Sequence, residues 1–311
     1  MFGNFKPLHV EVFPTGSLNL DIALGVGGLP RGRIAEIYGP PTSGKTTLAQ
    51  HLIAEAQRSG FVTAFIDMEH SLDPAYALRC GVDIDKALLA QPQTGVEALQ
   101  IIKELLVSGD IDLVVLDSIA ALLPHAEAKD RTSRPASGEI SQLLSTALRE
   151  LSLACLRNNA SLVCTNQLRR RLKNGYGPPQ TTPGGLSVKF HSSVRISLQT
   201  KRLLRQGEEI IGSQIEAQVT KNTVAPSFHS AFFNIVYNIG ISKGSDLLRL
   251  GQTEKLITQR GSQYWYGEHN LGQGQWQAEK LLDSNSFAAI KLEQVLRNKL
   301  LPKPPMTLEN L

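Results

Sequence analysis

Residues 39–47 read GPPTSGKTT and match the pattern G-x-x-x-x-G-K-[ST]. The apolar run IAEIYG at 34–39 predicts a strand before this stretch, and TTLAQHLIAEAQRSG at 46–60 predicts a helix after it. A glycine-rich turn between a strand and a helix gathers backbone N–H groups and a helix N-terminus around one point, which attracts phosphate. The sequence therefore predicts a phosphate-binding loop at the edge of an α/β sheet.

The side chains of this loop have distinct expected roles. Its glycines permit the turn, Lys45 is expected to reach the β- and γ-phosphates of ATP, and the Thr46 hydroxyl is expected to contact Mg²⁺. The expected ATP-binding residues of the loop are Gly39, Pro40, Pro41, Thr42, Ser43, Gly44, Lys45, Thr46 and Thr47. The alternative is a glycine turn with an incidental lysine, and the complete pattern between a strand and a helix argues against it.

Strand-like runs alternate with helix-length segments along the first half of the chain. Strands are predicted at VTAFIDME (62–69), IDLVVLDS (111–118) and SLVCTNQL (161–168), with helices at 98–109 and from about Gly138. This alternation favours an α/β fold with a mainly parallel central sheet and flanking helices on both faces.

The second half of the chain has a different pattern. Apolar runs at 193–199, 215–222 and 231–241 follow one another without long helices, and they predict antiparallel strands at one side of the sheet. From about Ser242 the sequence predicts a small α-rich C-terminal domain. We therefore expect a short N-terminal segment at 1–14, a core at 15–241 and a C-terminal domain at 242–311.

Carboxylates follow two of the predicted central strands. Asp117 ends IDLVVLDS, where a carboxylate beside the phosphate loop can hold the Mg²⁺ shell through water. FIDMEHSLDP supplies Asp67 and Glu69, which share one face of a strand. We expect Glu69 to be the base for an attacking water, since it lies further along toward the phosphates. The alternative for Glu69 is a solvated carboxylate at a strand end.

Composition excludes several classes of protein. The three cysteines have no CxxC spacing and the seven histidines have no metal-ligand spacing, which favours a reducing compartment over a disulfide framework. No run approaches the roughly 18 apolar residues of a membrane span, and the N-terminus has no secretory pattern. The sequence therefore predicts a cytoplasmic protein with no membrane partner.

The stretch RRRLKNGYGPPQTTPGG at 169–185 is basic and rich in turn residues. No Asp or Glu occurs between Glu150 and Glu208, whereas ten Lys or Arg do. Gly, Pro and Thr place such a segment on the surface, and its cations would attract a polyanion such as DNA. The alternative is a solvated charge run. We call residues 169–185 the basic stretch.

These segments together resemble the bacterial RecA recombinases. The resemblance is carried by GPPTSGKTT, FIDMEHSLDPAYA, IDLVVLDSIAAL, TNQLRRRL, TTPGG and VTKN, in that order, and by EKLITQRGSQYWYGEHNLGQG near the C-terminus. It extends from about Thr15 to Leu300. It implies a RecA-type ATPase core, ATP and Mg²⁺ as cofactors, and binding to single- and double-stranded DNA. It also implies a helical filament that acts in recombination, DNA repair and the SOS response to DNA damage.

The resemblance implies roles for individual residues at the nucleotide. Lys45 and Thr46 bind the triphosphate and Mg²⁺, and Glu69 activates water while Asp117 supports the metal. The resemblance also implies that Asp73 and Tyr76 contact adenine and that Gln167 contacts the γ-phosphate. It further implies that Lys221 contacts the ATP of the neighbouring subunit and that Phe190 lies at the subunit interface.

The resemblance also implies two DNA-binding loops, near 129–138 and 169–185. The implied DNA-binding residues are Lys129, Arg131, Arg134, Arg169, Arg170, Arg171, Lys173, Tyr176, Gly184 and Gly185. Loop one is basic where the family usually carries acids and glycine, and Ser137 replaces a bulky apolar residue. We therefore expect binding that relies more on phosphate contacts and is steeply salt-dependent.

Two departures concern assembly. Thr223 stands where the family usually has a second lysine after Lys221, and few residues precede PTGS, so we expect weaker contacts between subunits. The alternative function is an ATP-switched DNA-binding paralogue that modulates a true recombinase. A ring-forming motor of the related helicase group is a third possibility, and the C-terminal match argues against it.

Overall fold

The computed structural model describes residues 10–122, 137–170, 180–284 and 286–301, with backbone alone at 137–143, 169–170 and 180. The core elements, in chain order, are β1 (Val12–Phe13), α1 (Leu18–Ala23), β2 (Leu29–Pro30), β3 (Ile34–Gly39), α2 (Lys45–Arg58), β4 (Thr63–Asp67), α3 (Pro74–Arg79), β5 (Ala87–Ala90), α4 (Gly95–Ser108), β6 (Leu113–Asp117), a 3₁₀ turn (Ile119–Ala121), α5 (Ser137–Asn158), β7 (Ser161–Gln167), β8 (Arg169–Arg170), β9 (Gln180–Thr181), α6 (Gly185–His191), β10 (Ser192–Gln206), β11 (Glu209–Asn222), β12 (Ser230–Val236) and β13 (Gly240–Ile241). The C-terminal elements are α7 (Lys243–Thr253), β14 (Ile257–Arg260), β15 (Gln263–Tyr266), β16 (His269–Gln273), α8 (Gln275–Asp283) and α9 (Phe287–Leu300).

A nine-stranded sheet in the order β13-β12-β11-β10-β3-β7-β6-β4-β5 organises the core. The six strands from β10 to β5 run parallel, and β11, β12 and β13 continue the sheet antiparallel. The expected mainly parallel sheet with antiparallel strands at one side is confirmed. In this register Gly39 pairs with Gln167, and Asp67 pairs with Asp117. The carboxyl ends of four central strands therefore meet at one edge.

Helices cover both faces of the sheet because its central strands are apolar on both sides. Val115 packs in a cluster with Leu52 of α2, whereas its neighbour Val114 packs in a second cluster with Ile102 of α4 and Leu148 of α5. Successive side chains of a strand point to opposite faces, so each strand contributes to both clusters. None of the helices that the structure describes is both long and apolar enough to cross a membrane.

The C-terminal unit has its own core and contains more than helices. Its three helices surround a cluster that includes Leu248, Leu271 and Leu292, and β14, β15 and β16 form an antiparallel sheet. These short strands carry many exposed polar side chains, which is why their apolar pattern did not predict them from sequence.

Two buried carboxyls connect this unit to α1. Ser17 Oγ donates to Asp246 Oδ2 over 2.5 Å, and Arg297 Nη1 lies 3.3 Å from Asp21 Oδ2. Burial raises the pKa of Asp246 and of Asp21 to about 6. The contact between the core and the C-terminal unit therefore includes two carboxyls whose charge is costly to bury.

Candidate nucleotide and DNA site

The phosphate loop joins the end of β3 to the start of α2, as its sequence predicted. Gly44 precedes α2 with a φ of 84°, in the left-handed region that favours glycine, and a Cβ there would collide with Ile235 Cδ1. A Cβ on Gly39 would collide with the carbonyl oxygen of Leu198. Both positions of the motif therefore require glycine for a steric reason.

Lys45 begins α2 and folds back over the loop. Its Nζ donates to the carbonyl oxygens of Pro40 at 2.8 Å and Gly39 at 3.4 Å. Burial lowers the pKa of Lys45, and the carboxylates of Asp117 and Glu69 oppose that shift. The ammonium therefore lies among the loop carbonyls, where it can exchange these neutral hydrogen-bond acceptors for phosphate oxygens.

Thr46 and Asp117 form the second part of the site. Thr46 Oγ1 donates to Asp117 Oδ2 over 2.6 Å, and Thr165 Oγ1 donates to Asp117 Oδ1. Burial raises the pKa of Asp117, while these two hydroxyl donors stabilise its charged form. The sequence prediction did not include Thr165, although it immediately precedes the Asn-Gln pair that ends the strand.

Glu69 lies in the same group of side chains. Its Oε1 accepts from Ser118 Oγ at 2.5 Å and from Gln167 Nε2 at 3.2 Å. The other candidate base, Asp67, has different partners: it accepts from two backbone N–H groups of the following turn and from Gln91 Nε2. Of the two carboxylates, Glu69 is thus the one that contacts Gln167, and Asp67 organises the turn after β4.

The cavity beside the loop has walls from distant parts of the chain. Tyr76 and Thr47 share a hydrogen bond of 3.0 Å there, and burial raises the pKa of Tyr76 to about 12. Asp73 immediately precedes α3 and caps it by accepting from Ala75 N at 2.9 Å. The same cavity is lined by Ser213, Ile235 and Tyr237, which the sequence analysis did not single out. No local motif marks these three residues, since β11 and β12 bring them in by tertiary packing.

The residues of this site fit a magnesium nucleoside triphosphate. The two glycines leave positions 39 and 44 of the loop without a Cβ, and Ser43 Oγ is buried with no hydrogen-bond partner among the described residues. Lys45 supplies a positive charge, and Thr46 with Asp117 supplies the hard oxygen ligands that Mg²⁺ prefers. Thr46 and Asp117 would hold the metal, the latter through water.

Lys221 and Phe190 lie together, away from this cavity. Lys221 Nζ donates to the carbonyl oxygens of Lys189 at 2.8 Å and Phe190 at 3.0 Å, at the end of α6. Phe190 is 84% exposed. The cavity wall, as far as the structure describes it, does not include Lys221. The structure thus does not bring Lys221 to the phosphate loop of its own chain.

Only part of the expected DNA-binding loops falls within the described residues. Arg169 and Arg170 form β8, whose backbone pairs antiparallel with β9. Gly184 precedes α6 with a φ of 84°, and Gly185 follows with a φ of 64°. The expected DNA-binding residues outside the described residues are Lys129, Arg131, Arg134, Arg171, Lys173 and Tyr176.

A buried network of hydrogen bonds connects the C-terminal end of the basic stretch to the sheet. Asn166 Nδ2 donates to the carbonyl oxygen of Pro183 at 3.0 Å and to Glu36 Oε1 at 2.8 Å. Glu36 Oε2 accepts from Arg195 Nε at 2.5 Å, and the Arg195 guanidinium stacks on Tyr38. The fully buried Glu36 is thus paired and hydrogen-bonded, as a buried charge requires.

Two protein-family models match successive parts of the chain. The model described as the RecA N-terminal domain matches residues 1–242, and the model described as the RecA C-terminal domain matches residues 245–301. Together they cover most of the chain, including the phosphate loop, the carboxylates and the C-terminal unit.

Curated relatives agree with the family models. Protein RecA of Roseiflexus castenholzii is 46% identical over 297 residues, which is 96% of this chain and 84% of the relative. Protein RecA of Clostridium tetani is 46% identical, with 96% and 85% of the two chains covered. Protein RecA of Symbiobacterium thermophilum is 47% identical, with 94% and 84% covered. The chain therefore belongs to the RecA family of recombinases.

Proposed function

We propose that the chain couples ATP hydrolysis to binding of single-stranded DNA and builds a helical nucleoprotein filament for homologous recombination and DNA repair. The observation that carries this proposal is the 3.2 Å hydrogen bond from Gln167 Nε2 to Glu69 Oε1. Gln167 ends β7, and the basic stretch begins two residues later. One side chain thus contacts the proposed catalytic base and leads directly into the proposed DNA-binding loop.

Lys45, Thr46 and Asp117 hold the nucleotide in this proposal. Mg²⁺, when bound, neutralises charge on the β- and γ-phosphates. Lys45 would exchange the carbonyls of Pro40 and Gly39 for phosphate oxygens, and the Thr46 hydroxyl would help to hold the metal. Thr165 keeps Asp117 oriented throughout, since it donates to the other carboxylate oxygen.

Glu69 orients the attacking water and accepts its proton. Ser118 donates to Oε1 of the carboxylate and keeps Glu69 oriented when Gln167 moves away, so Glu69 needs little reorganisation to reach its position. The adenine is held between α3 and the antiparallel strands, by Asp73 and Tyr76 together with Tyr237 from the far wall. We include Tyr237 because it lines the same cavity as Tyr76.

DNA binds along the loops near 129–138 and 169–185. The arginines and lysines contact phosphates, and Tyr176 offers a face for base stacking. Gln167 leaves Glu69 for the γ-phosphate when ATP is bound, and this movement shifts the start of the basic stretch. Pro183 and the two following glycines let the far end adjust while Asn166 anchors it.

Self-association completes the site. The exposed Phe190 contacts the next subunit, and Lys221, already beside it, reaches the ATP bound there. An open head-to-tail assembly of this kind is helical. Since chromosomal DNA is the substrate, we propose that the protein acts in the cytoplasm. Nothing in the comparisons favours the alternative of a regulatory paralogue.

A strand-exchange assay tests the proposal. The protein, as the sole recombinase, is incubated with circular single-stranded DNA, homologous linear duplex, ATP and Mg²⁺. We expect joint molecules with the unmodified chain and none with Lys45→Ala. Electron microscopy with a non-hydrolysable ATP analogue gives the second readout, where continuous filaments support the proposal and DNA-bound monomers or closed rings contradict it.

A further inference from the structure

Thr165 lies on β7 beside the carboxylate that ends β6. Cys164 pairs with Leu116 in the ladder between these two parallel strands, and Thr165 and Asp117 are the next residues along. Side chains at one level of neighbouring strands point to the same face of the sheet, so these two can meet. Thr165 Oγ1 donates to Asp117 Oδ1, and both residues are buried. The contact therefore follows from strand register, not from a local motif.

A buried hydroxyl needs an acceptor, and Thr165 uses Asp117. The alternative acceptor is the carbonyl oxygen of Leu116 at 3.5 Å, which is at the far limit of a hydrogen bond. Val163, two residues earlier on the same face of β7, packs in an apolar cluster. An apolar side chain thus suits this face of the strand, and the carboxylate beside Thr165 accounts for its hydroxyl.

The two oxygens of Asp117 have different partners. Oδ2 accepts from Thr46 over 2.6 Å, and Thr46 is the residue whose hydroxyl would help to hold Mg²⁺. Oδ1 accepts from Thr165, which is fully buried. Thr165 is not among the described residues that line the cavity beside the phosphate loop. Any effect of Thr165 on a bound metal therefore passes through Asp117.

The Thr165 hydroxyl matters because an aspartate carboxylate turns easily about its Cβ–Cγ bond. This torsion has a broad, roughly two-fold preference, so a hydrogen bond to one oxygen alone fixes the carboxylate plane poorly. Donors on both oxygens of Asp117 define one orientation, in which Oδ2 faces Thr46. Without the Thr165 donor, Oδ1 is left buried without this hydrogen bond, and the carboxylate turns toward other donors.

We propose that Thr165 is a positioning residue that sets how tightly the site holds Mg²⁺-bound nucleotide, by keeping Asp117 in the orientation that the metal requires. This inference rests on the proposed function, since it takes the phosphate loop as the nucleotide site. Lys45 and the loop backbone act on phosphate directly and do not depend on Asp117. Loss of the Thr165 hydroxyl therefore weakens nucleotide binding in Mg²⁺ and leaves binding without Mg²⁺ unchanged.

The test is calorimetric titration of the full chain with a non-hydrolysable ATP analogue, once in excess Mg²⁺ and once in EDTA. In Mg²⁺, Thr165→Val is expected to bind the analogue about tenfold more weakly than the unmodified chain, since one hydrogen bond to a charged group is lost. In EDTA the two proteins are expected to bind alike.

Thr63→Val is the matched control. Thr63 is also fully buried in the central sheet, and its hydroxyl has no hydrogen-bond partner in the part of the chain that the structure describes. The same substitution there removes a buried hydroxyl without touching Asp117. Thr63→Val should therefore bind the analogue like the unmodified chain under both conditions.

A second pair of variants isolates the hydroxyl if valine disturbs the packing of β7. Thr165→Ser keeps the donor and Thr165→Ala removes it, so these two proteins differ only in the hydroxyl. In Mg²⁺, Thr165→Ser should bind the analogue about tenfold more tightly than Thr165→Ala, and in EDTA they should bind alike. Urea unfolding of each variant shows whether it is folded.

Two results would overturn the inference and leave the proposed function intact. One is equal affinity of Thr165→Val and the unmodified chain in Mg²⁺. The other is an equal loss in Mg²⁺ and in EDTA, because Thr165 would then support the shape of the site and not the metal. An unmodified chain that fails to bind the analogue in Mg²⁺ would overturn the proposed function, and this inference with it.

Discussion

Gln167 Nε2 donates to Glu69 Oε1 over 3.2 Å, which connects the end of β7 to the segment that follows β4. The two residues are 98 positions apart in sequence, and the strand order β7-β6-β4 separates them by only one intervening strand. The intervening strand, β6, ends on Asp117, and the next residue, Ser118, also donates to Glu69. A single cluster therefore combines the carboxylate proposed to support the metal, the proposed base and Gln167, which lies two residues before the basic stretch.

We expect Gln167→Ala to retain basal ATP hydrolysis and lose its stimulation by single-stranded DNA. The alanine removes the donor to Glu69, and with it the side chain that we propose links the nucleotide to the basic stretch. Phosphate release measured with and without oligonucleotide checks this. Gln91→Ala, which removes a donor to Asp67 instead, is the control and should remain DNA-stimulated. Stimulation that survives in Gln167→Ala would assign the coupling to another residue.

Glu69→Gln and Asp67→Asn should separate the two carboxylates of the segment after β4. The amide at position 69 cannot accept a proton, so we expect hydrolysis to fall by about 10²–10⁴-fold with nucleotide binding retained. Asp67→Asn weakens the turn that Ser71 and Leu72 form, so its main effect should be on thermal stability. Single-turnover hydrolysis and thermal unfolding of both variants distinguish these effects. The reverse pattern would make Asp67 the base.

Lys45→Ala should abolish hydrolysis. The ammonium is the one charge of the phosphate-loop motif, and removal of a single electrostatic contact to a transition state typically costs at least about 10²-fold. Lys86→Ala removes an exposed lysine that pairs with Asp83, and it should leave the rate unchanged. DNA-stimulated phosphate release is measured for both variants. A Lys45→Ala protein that still hydrolyses ATP in the presence of DNA would place the active site elsewhere.

Arg195→Met should destabilise the protein by about 3–5 kcal/mol, because the fully buried Glu36 loses its paired cation. Urea unfolding gives the free energy of unfolding directly. Lys103→Met breaks the exposed pair with Glu150 and should cost at most about 1 kcal/mol.

Combining Glu36→Leu with Arg195→Met extends this test. The double variant removes both charges, so it should recover much of the lost free energy of unfolding. Equal destabilisation by the single and double variants would show that packing, rather than charge, holds this part of the sheet.

The carboxyl of Asp246 should make stability fall as pH rises. Its pKa is raised from 3.8 to about 6 in the folded protein, so the folded state binds this proton more tightly than the unfolded chain. The contribution of this protonated carboxyl to the free energy of unfolding is fully present below about pH 3.8, and it is lost as pH rises through about 6. Relative to Asp246→Asn, the unmodified chain should lose roughly 2 kcal/mol of unfolding free energy between pH 4 and pH 7.

Urea unfolding of both proteins at each pH measures this difference. Asp110→Asn replaces an exposed carboxyl and serves as the control, with a difference from the unmodified chain that should not vary with pH. If the difference between Asp246→Asn and the unmodified chain is the same at both pH values, burial does not raise the pKa of Asp246 as stated.

Local patterns predicted the parallel part of the fold and the phosphate loop. The glycines, Lys45 and Thr46 stand within nine consecutive residues, and the apolar runs around them have the periods of a strand and a helix. Such features depend on neighbours in sequence, so they can be interpreted without a structure. The short strands β14 to β16 could not be predicted in this way, because they lack a clear apolar alternation.

The wall of the cavity and the burial of polar side chains depended on contacts between distant segments. Tyr237 reaches the cavity beside the phosphate loop because β12 follows β11 antiparallel at the far side of the sheet. Gln50 appears in sequence as an ordinary polar residue of a helix, and only tertiary packing buries its Oε1 with no hydrogen-bond partner in the part of the chain that the structure describes. Sequence alone thus determined the parallel sheet and the strand–loop–helix form of the phosphate loop, and it predicted the phosphate chemistry. Tertiary structure decided which side chains surround the cavity, since strand order and helix packing, not spacing along the chain, bring those atoms together.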